Sequence, residues 1–161
     1  MTLSRERQSP ARLYPFLLAI EVAGAVTILW HGVPIYRSLL EKTFVEHVDG
    51  TVVAWAITGI VLIQATYWLS TFKVFPSLAV SPHIFAGHAI AFLSRLNFVF
   101  VSGLFASLVY ARGPEIEFVA WRAIMLAAVL FSMFCFSLEL ERLAKLFLGV
   151  DHRRSRANVG G

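Results

Sequence analysis

Four long apolar runs, broken by short polar connections, organise this chain at about 13–33, 52–72, 84–111 and 118–140. Each holds 20 or more residues, enough at 1.5 Å per residue to cross a hydrocarbon layer of about 30 Å. None shows the period-2 alternation of a barrel strand, so helices are the structures that satisfy the backbone in lipid. The pattern predicts an all-α integral membrane protein, a four-transmembrane-helix bundle. Pro15 falls in the first turn of helix 1, where its missing N–H does no harm. Pro34, Pro76, Pro82 and Pro114 fall in connections and punctuate the helices.

Two segments outside the apolar runs also carry helical periodicity. Between Pro34 and Thr51, Ile35, Leu39, Leu40 and Phe44 alternate with Arg37, Glu41, Lys42 and Glu46. This suits a short amphipathic helix on the outer membrane surface, between helices 1 and 2. Residues 138–148 extend helix 4 beyond the membrane, with Glu141 and Lys145 as an i,i+4 pair and Gly149 as the stop. The chain then divides into an N-terminal segment (1–12), a membrane domain (13–148, helices about 13–33, 52–72, 84–111 and 118–148) and a basic tail (149–161). Arg5, Arg7, Arg12 and the Ala23-Gly24-Ala25 triplet resemble a cleaved leader. Glu21 interrupts that leader, and the apolar run continues through Trp30, so a retained helix is expected.

Composition agrees with the pattern. Hydrophobic residues make up 58% of the 161, charged residues only 15%, and mean hydropathy is +0.71. A soluble domain is about 25% charged; here lipid must cover part of the apolar surface. The net charge is +4, but the basic residues flank apolar segments. That placement fits membrane lipids, with Arg153, Arg154 and Arg156 of the tail against headgroups, and not nucleic acid. Nine Lys and Arg residues fall on the side of the two termini and four (Arg37, Lys42, Arg112, Arg122) on the other. The positive-inside rule then puts both termini in the cytoplasm. Trp30, Tyr36, Trp55, Tyr110 and Trp121 mark the outer interface, and Tyr14, Tyr67 and Trp68 the inner one. Eleven Arg against three Lys hints at a GC-rich bacterial genome, hence a bacterial inner membrane. Cys135 is the single cysteine; it excludes an internal disulfide and reads as a small core residue.

Ionisable groups deep in a bilayer are costly and mark function or obligatory pairing. Counted from the inner boundary, Glu21 and Gln64 lie about 12 Å in, Arg95 about 16 Å and Asn97 about 20 Å. Ser132 falls close to the same level, so each helix places a polar group in one layer. Glu21 and Arg95 are expected to pair there, with Gln64 or Ser132 completing the hydrogen bonds. The alternative reading of the layer is a proton or cation site at Glu21. Small residues at spacing four (Ala19, Ala23 and Thr27; Gly103 and Ser107) suggest close helix packing. His88, Arg95 and Ser102, seven apart on helix 3, read as that helix's inward stripe.

The text Leu18-Ala19-Ile20-Glu21-Val22-Ala23-Gly24 resembles helix 1 of the small multidrug resistance transporters, four-helix proteins with a membrane-embedded Glu. The longer loops, the amphipathic segment, Arg95 at matching depth and the strong charge bias set this chain apart, and it is not assigned to that family.

Of five histidines, His31 and His88 lie in or beside helices, but their depths differ by roughly 20 Å. They cannot bracket one iron, so no intrinsic cofactor is expected. Either could still supply a single ligand to a haem or pigment shared with another subunit. Signatures such as G-x-S-x-G, H-E-x-x-H and the P-loop do not occur, which argues against an enzyme. Short soluble parts and 14 Phe residues suit a small accessory subunit of a larger membrane complex, with other integral subunits or further copies as partners. The alternatives are a proton- or cation-coupled transporter using Glu21, and a subunit lending a His ligand at an interface.

Overall fold

The computed structural model describes residues 8–40, 50–74, 81–112 and 120–149, and no strand occurs among them. Four helices follow in order: α1 (Gln8–Leu40), α2 (Gly50–Leu69), α3 (Ile84–Arg112) and α4 (Ala120–Phe147). A single π turn, Ser70–Val74, continues α2. Each helix contains a stretch long and apolar enough to cross a membrane: Leu13–Pro34, Gly50–Val74 (including the π turn), Ile84–Ser107 and Ile124–Phe147. By length and composition the chain is a multi-pass membrane protein. Gly149, at φ +67°, ends α4 in the left-handed region, and its N–H bonds the Leu146 carbonyl at 3.1 Å. The Glu141–Lys145 pair closes at 2.8 Å.

Helix 1 departs from expectation. It runs on to Leu40 and holds both Pro15 and Pro34 inside it, so Pro34 does not punctuate and residues 34–40 are not a separate surface helix. A proline removes one ladder bond and crowds the preceding turn. Breaking the helix in an apolar surrounding would leave further backbone groups unsatisfied, so it continues. The rest of the expected amphipathic segment, 41–49, lies outside the described residues, as do Pro76, Pro114 and the tail arginines Arg153, Arg154 and Arg156.

The helices associate as two hairpins. α1 packs chiefly along α2, α3 chiefly along α4, and the hairpins meet mainly where α2 faces α4. Two glycines bring α1 and α2 together. A Cβ on Gly59 would stand 2.6 Å from Ile28 Cγ1 and 2.9 Å from the Gly24 carbonyl, and one on Gly24 would stand 3.0 Å from the Gly59 carbonyl. Absence of side chains at both positions sets the helix separation. The small residues singled out from spacing do not do this: Ala19 and Ala23 are exposed, and a Cβ on Gly103 would meet nothing within 4 Å.

α3 meets α4 through a stripe spaced three and four apart: Gly87, Ile90, Ser94, Asn97 and Val101, all buried or half-buried. Ser94 donates to the Ser137 carbonyl at 2.7 Å, and Asn97 Nδ2 donates to Ser137 Oγ at 2.7 Å and to the Met133 carbonyl at 3.2 Å. The core centres on Ala25, Ile28, Ile63, Tyr67, Met133 and Phe136. A second apolar group of Tyr14, Leu17, Val74 and Leu143 closes the end of the molecule that carries both termini.

Candidate functional site

The polar residues of the membrane spans sort into three places. The first is a pair inside the protein. Gln64 on α2 donates from Nε2 to Ser132 Oγ on α4 at 3.2 Å, and its Oε1 accepts from Trp68 Nε1 at 3.0 Å. Its Nε2 also approaches the sulfur of buried Cys135 at 3.7 Å. Gln64 and Ser132 therefore satisfy each other between α2 and α4, rather than completing a Glu21–Arg95 pair. Asn97, the deepest residue of the expected layer, makes its own contacts across α3–α4.

The second place is a cluster near the termini end, built around two carboxylates. Glu21 on α1 and Glu139 on α4 are each 1% exposed. They lie within Coulombic reach of one another, and Arg142 and the Tyr14 hydroxyl lie in the same field. The π turn supplies Ser70, which donates to Glu139 Oε1 at 2.5 Å, and Thr71, which accepts from Arg142 Nη1 at 2.7 Å. Local π geometry widens a helix by one residue and recurs at functional sites. The Arg142 guanidinium stands 3.8 Å from Glu139 Oε2 and 5.2 Å from the centre of the Tyr67 ring, within cation–π range. Among the described residues, three buried oxygens of the cluster have no hydrogen-bond partner: Tyr14 OH, Glu21 Oε1 and Glu139 Oε2. Tyr14 is near Glu139 yet does not meet it in bonding geometry.

Two expectations change here. Tyr14 and Tyr67 are buried at 5% exposure each beside these charges, and are not interfacial belt residues. Glu139, expected to lie in a cytoplasmic extension, sits inside the protein about 12 Å from the Phe147 end of the apolar stretch. It, and not Arg95, is the charged neighbour of Glu21. The signal was present in the sequence: Ser132, Cys135, Glu139 and Arg142 recur three and four apart, a single helix stripe that turns inward.

The third place is the outer face of α3. Arg95, with His88 and Ser102 seven residues to either side, is exposed. This stripe does not face inward, because α3 uses the opposite stripe (Gly87 to Val101) to pack on α4. Arg95 lies 11 residues from Ile84 and 12 from Ser107, which puts it at about the middle of the apolar stretch. Around it the surface is apolar: Phe92 is 64% exposed, Leu96 51% and Val99 65%.

At the opposite end the interior is apolar. His31 stacks on Trp55 with ring centres 5.5 Å apart, and Tyr36 and Ser107 share a hydrogen bond between α1 and α3. His31 and Tyr36 border a cavity of about 280 Å³ walled by Ile28, Leu104, Leu130 and Met133. His31 and His88 are thus at opposite ends of the protein, on different faces. Among the described residues, no group of three or more His, Cys, Asp or Glu is arranged to hold a metal ion. Comparison with protein-family models, with curated proteins and with solved structures finds no match to this chain.

Proposed function

We propose that this protein is a small accessory subunit of a larger bacterial inner-membrane complex, with both termini cytoplasmic, and that it docks through the Arg95 face of α3. The observation that carries the reading is an arginine exposed at mid-span on an otherwise apolar surface. On insertion scales an Arg at the centre of a membrane helix costs about 2.5–3.5 kcal/mol, so such residues turn toward protein or water. In this chain Arg95 turns away from the chain's own interior. A partner helix with an Asp or Glu near the bilayer midplane offsets that cost with a charge-assisted, bidentate pair. Ser102 and His88 on the same stripe add polar contacts, and Phe92, Leu96 and Val99 supply apolar area.

A second copy of this chain is a poor occupant. Its intramembrane carboxylates, Glu21 and Glu139, are buried within its own interior, so it has none to offer Arg95 at that depth. The excess of basic residues on the termini side supports the orientation, and the predominance of Arg over Lys supports the bacterial source. The role is one of interaction, not catalysis.

The test is purification from the native membrane in mild detergent. The wild-type chain is expected to bring down one stoichiometric integral membrane partner. Arg95→Leu should lose that partner while remaining helical and monodisperse, and Arg95→Lys should retain part of it. A wild-type chain that purifies as a homo-oligomer, or an Arg95→Leu chain that keeps its partner, overturns the proposal.

A further inference from the structure

We propose that Glu21 and Glu139 hold one exchangeable proton between them, which makes the termini-side interior a proton-binding site. The described groups that face the cluster are Tyr14 and Glu21 from α1, Tyr67, Ser70 and Thr71 from α2 and its π turn, and Cys135, Glu139 and Arg142 from α4. His83, just before α3, and His88 and Arg95 on it are exposed, as is Lys73 at the π turn. Lys145 is engaged by Glu141. Among the described residues, two carboxylates against Arg142 leave one negative charge uncompensated in an interior that solvates charge poorly. One proton brings the cluster to neutrality.

Geometry says where that proton sits. Glu139 takes the Ser70 hydroxyl and faces the guanidinium, so it is supported as the ionised member. Glu21 feels Arg142 only at longer range, with no salt bridge among the described residues, and presents an oxygen with no hydrogen-bond partner on a residue 1% exposed. A proton on Glu21 removes the charge from that orphaned acceptor, in a cluster where Glu139 Oε2 and the Tyr14 hydroxyl are equally without hydrogen-bond partners among the described residues. Release breaks the Glu21 O–H bond and forms one O–H bond on the accepting water or base, with no other bond made or broken. Arg142, 35% exposed, is the member of the cluster that reaches the protein surface. A hard metal cation suits the site less well. Such ions draw about six or more oxygen ligands, and the cluster offers three unsatisfied ones among the described residues. This inference is independent of the α3 face and stands or falls without it.

The experiment is pH-difference infrared spectroscopy on the full chain in lipid nanodiscs, with or without its native partner bound. The wild type should show one protonated carboxylic acid per chain whose C=O band disappears as pH rises. Glu21→Gln should abolish the band. Glu139→Gln leaves Glu21 as the carboxylate nearest Arg142 and should weaken proton affinity at least tenfold. A second measurement needs only wild-type protein: a hydrophobic carbodiimide, which labels protonated carboxyls in apolar sites, should modify Glu21 at low pH and lose that reaction as pH rises. A band that survives Glu21→Gln, or Glu21 unlabelled at every pH, overturns the proposal. A band displaced by sodium chloride at fixed pH, but not by choline chloride, assigns the site to a metal cation and overturns it equally.

Discussion

The termini-side interior and the outer face of α3 treat the same problem, charge inside a membrane, in opposite ways. Around Glu139 three elements converge: α1 brings Tyr14 and Glu21, the π turn brings Ser70 and Thr71, and α4 brings Arg142. On α3, Arg95 stands exposed among Phe92, Leu96 and Val99. The first arrangement is complete apart from a proton. The second, on the function proposed above, is completed by another protein. The difference teaches that burial of charge here follows from which stripe of a helix packs, since both regions lie well inside the apolar spans.

The comparison can be broken from either side. The largest expected effect is at Arg142. Arg142→Leu removes the cation from two buried carboxylates and should cost about 3 kcal/mol, the low end for breaking a buried pair because Arg142 is partly exposed. Thermal unfolding in detergent measures it, and Glu139→Gln combined with Arg142→Leu should recover part of the loss. Next is the α1–α2 contact that places Glu21. Gly59→Ala drives a methyl into Ile28 and into a backbone oxygen that cannot move aside; overpacking of this kind costs about 1–3 kcal/mol. The same unfolding assay reads the loss. The smallest effect is expected at the α3–α4 seam. Asn97→Leu deletes two hydrogen bonds and should cost about 1 kcal/mol, since polar contacts between membrane helices are individually modest.

The contrast also marks what could be read from sequence. The four spans were legible because uninterrupted apolar runs of that length have one stable form in lipid. The similar depth of Gln64 and Ser132 was legible too, but not their hydrogen bond to each other, since either was expected to complete a Glu21–Arg95 pair. The partner of Glu21 was not legible. Depth comes from counting residues, whereas the angle around a helix depends on which stripe packs, and Arg95 shares Glu21's approximate depth but faces away. Glu139 was hidden differently. It stands beside Glu141, Arg142 and Lys145, a string that reads as an aqueous extension, although Glu141 and Lys145 occupy the outer side of α4 and Glu139 the inner. Pro34 misled because proline punctuates soluble helices more reliably than membrane ones.

The central claim is that Arg95 faces a different membrane protein, and crosslinking in the native membrane tests it most directly. A photoreactive residue replaces Val99, one turn from Arg95, and in a separate chain Val26 on α1, which is 55% exposed. The account predicts an adduct with a distinct integral membrane protein from position 99 and not from 26, lost when Arg95→Leu is added. Adducts at 99 with lipid alone, or with a second copy of this chain, would contradict it.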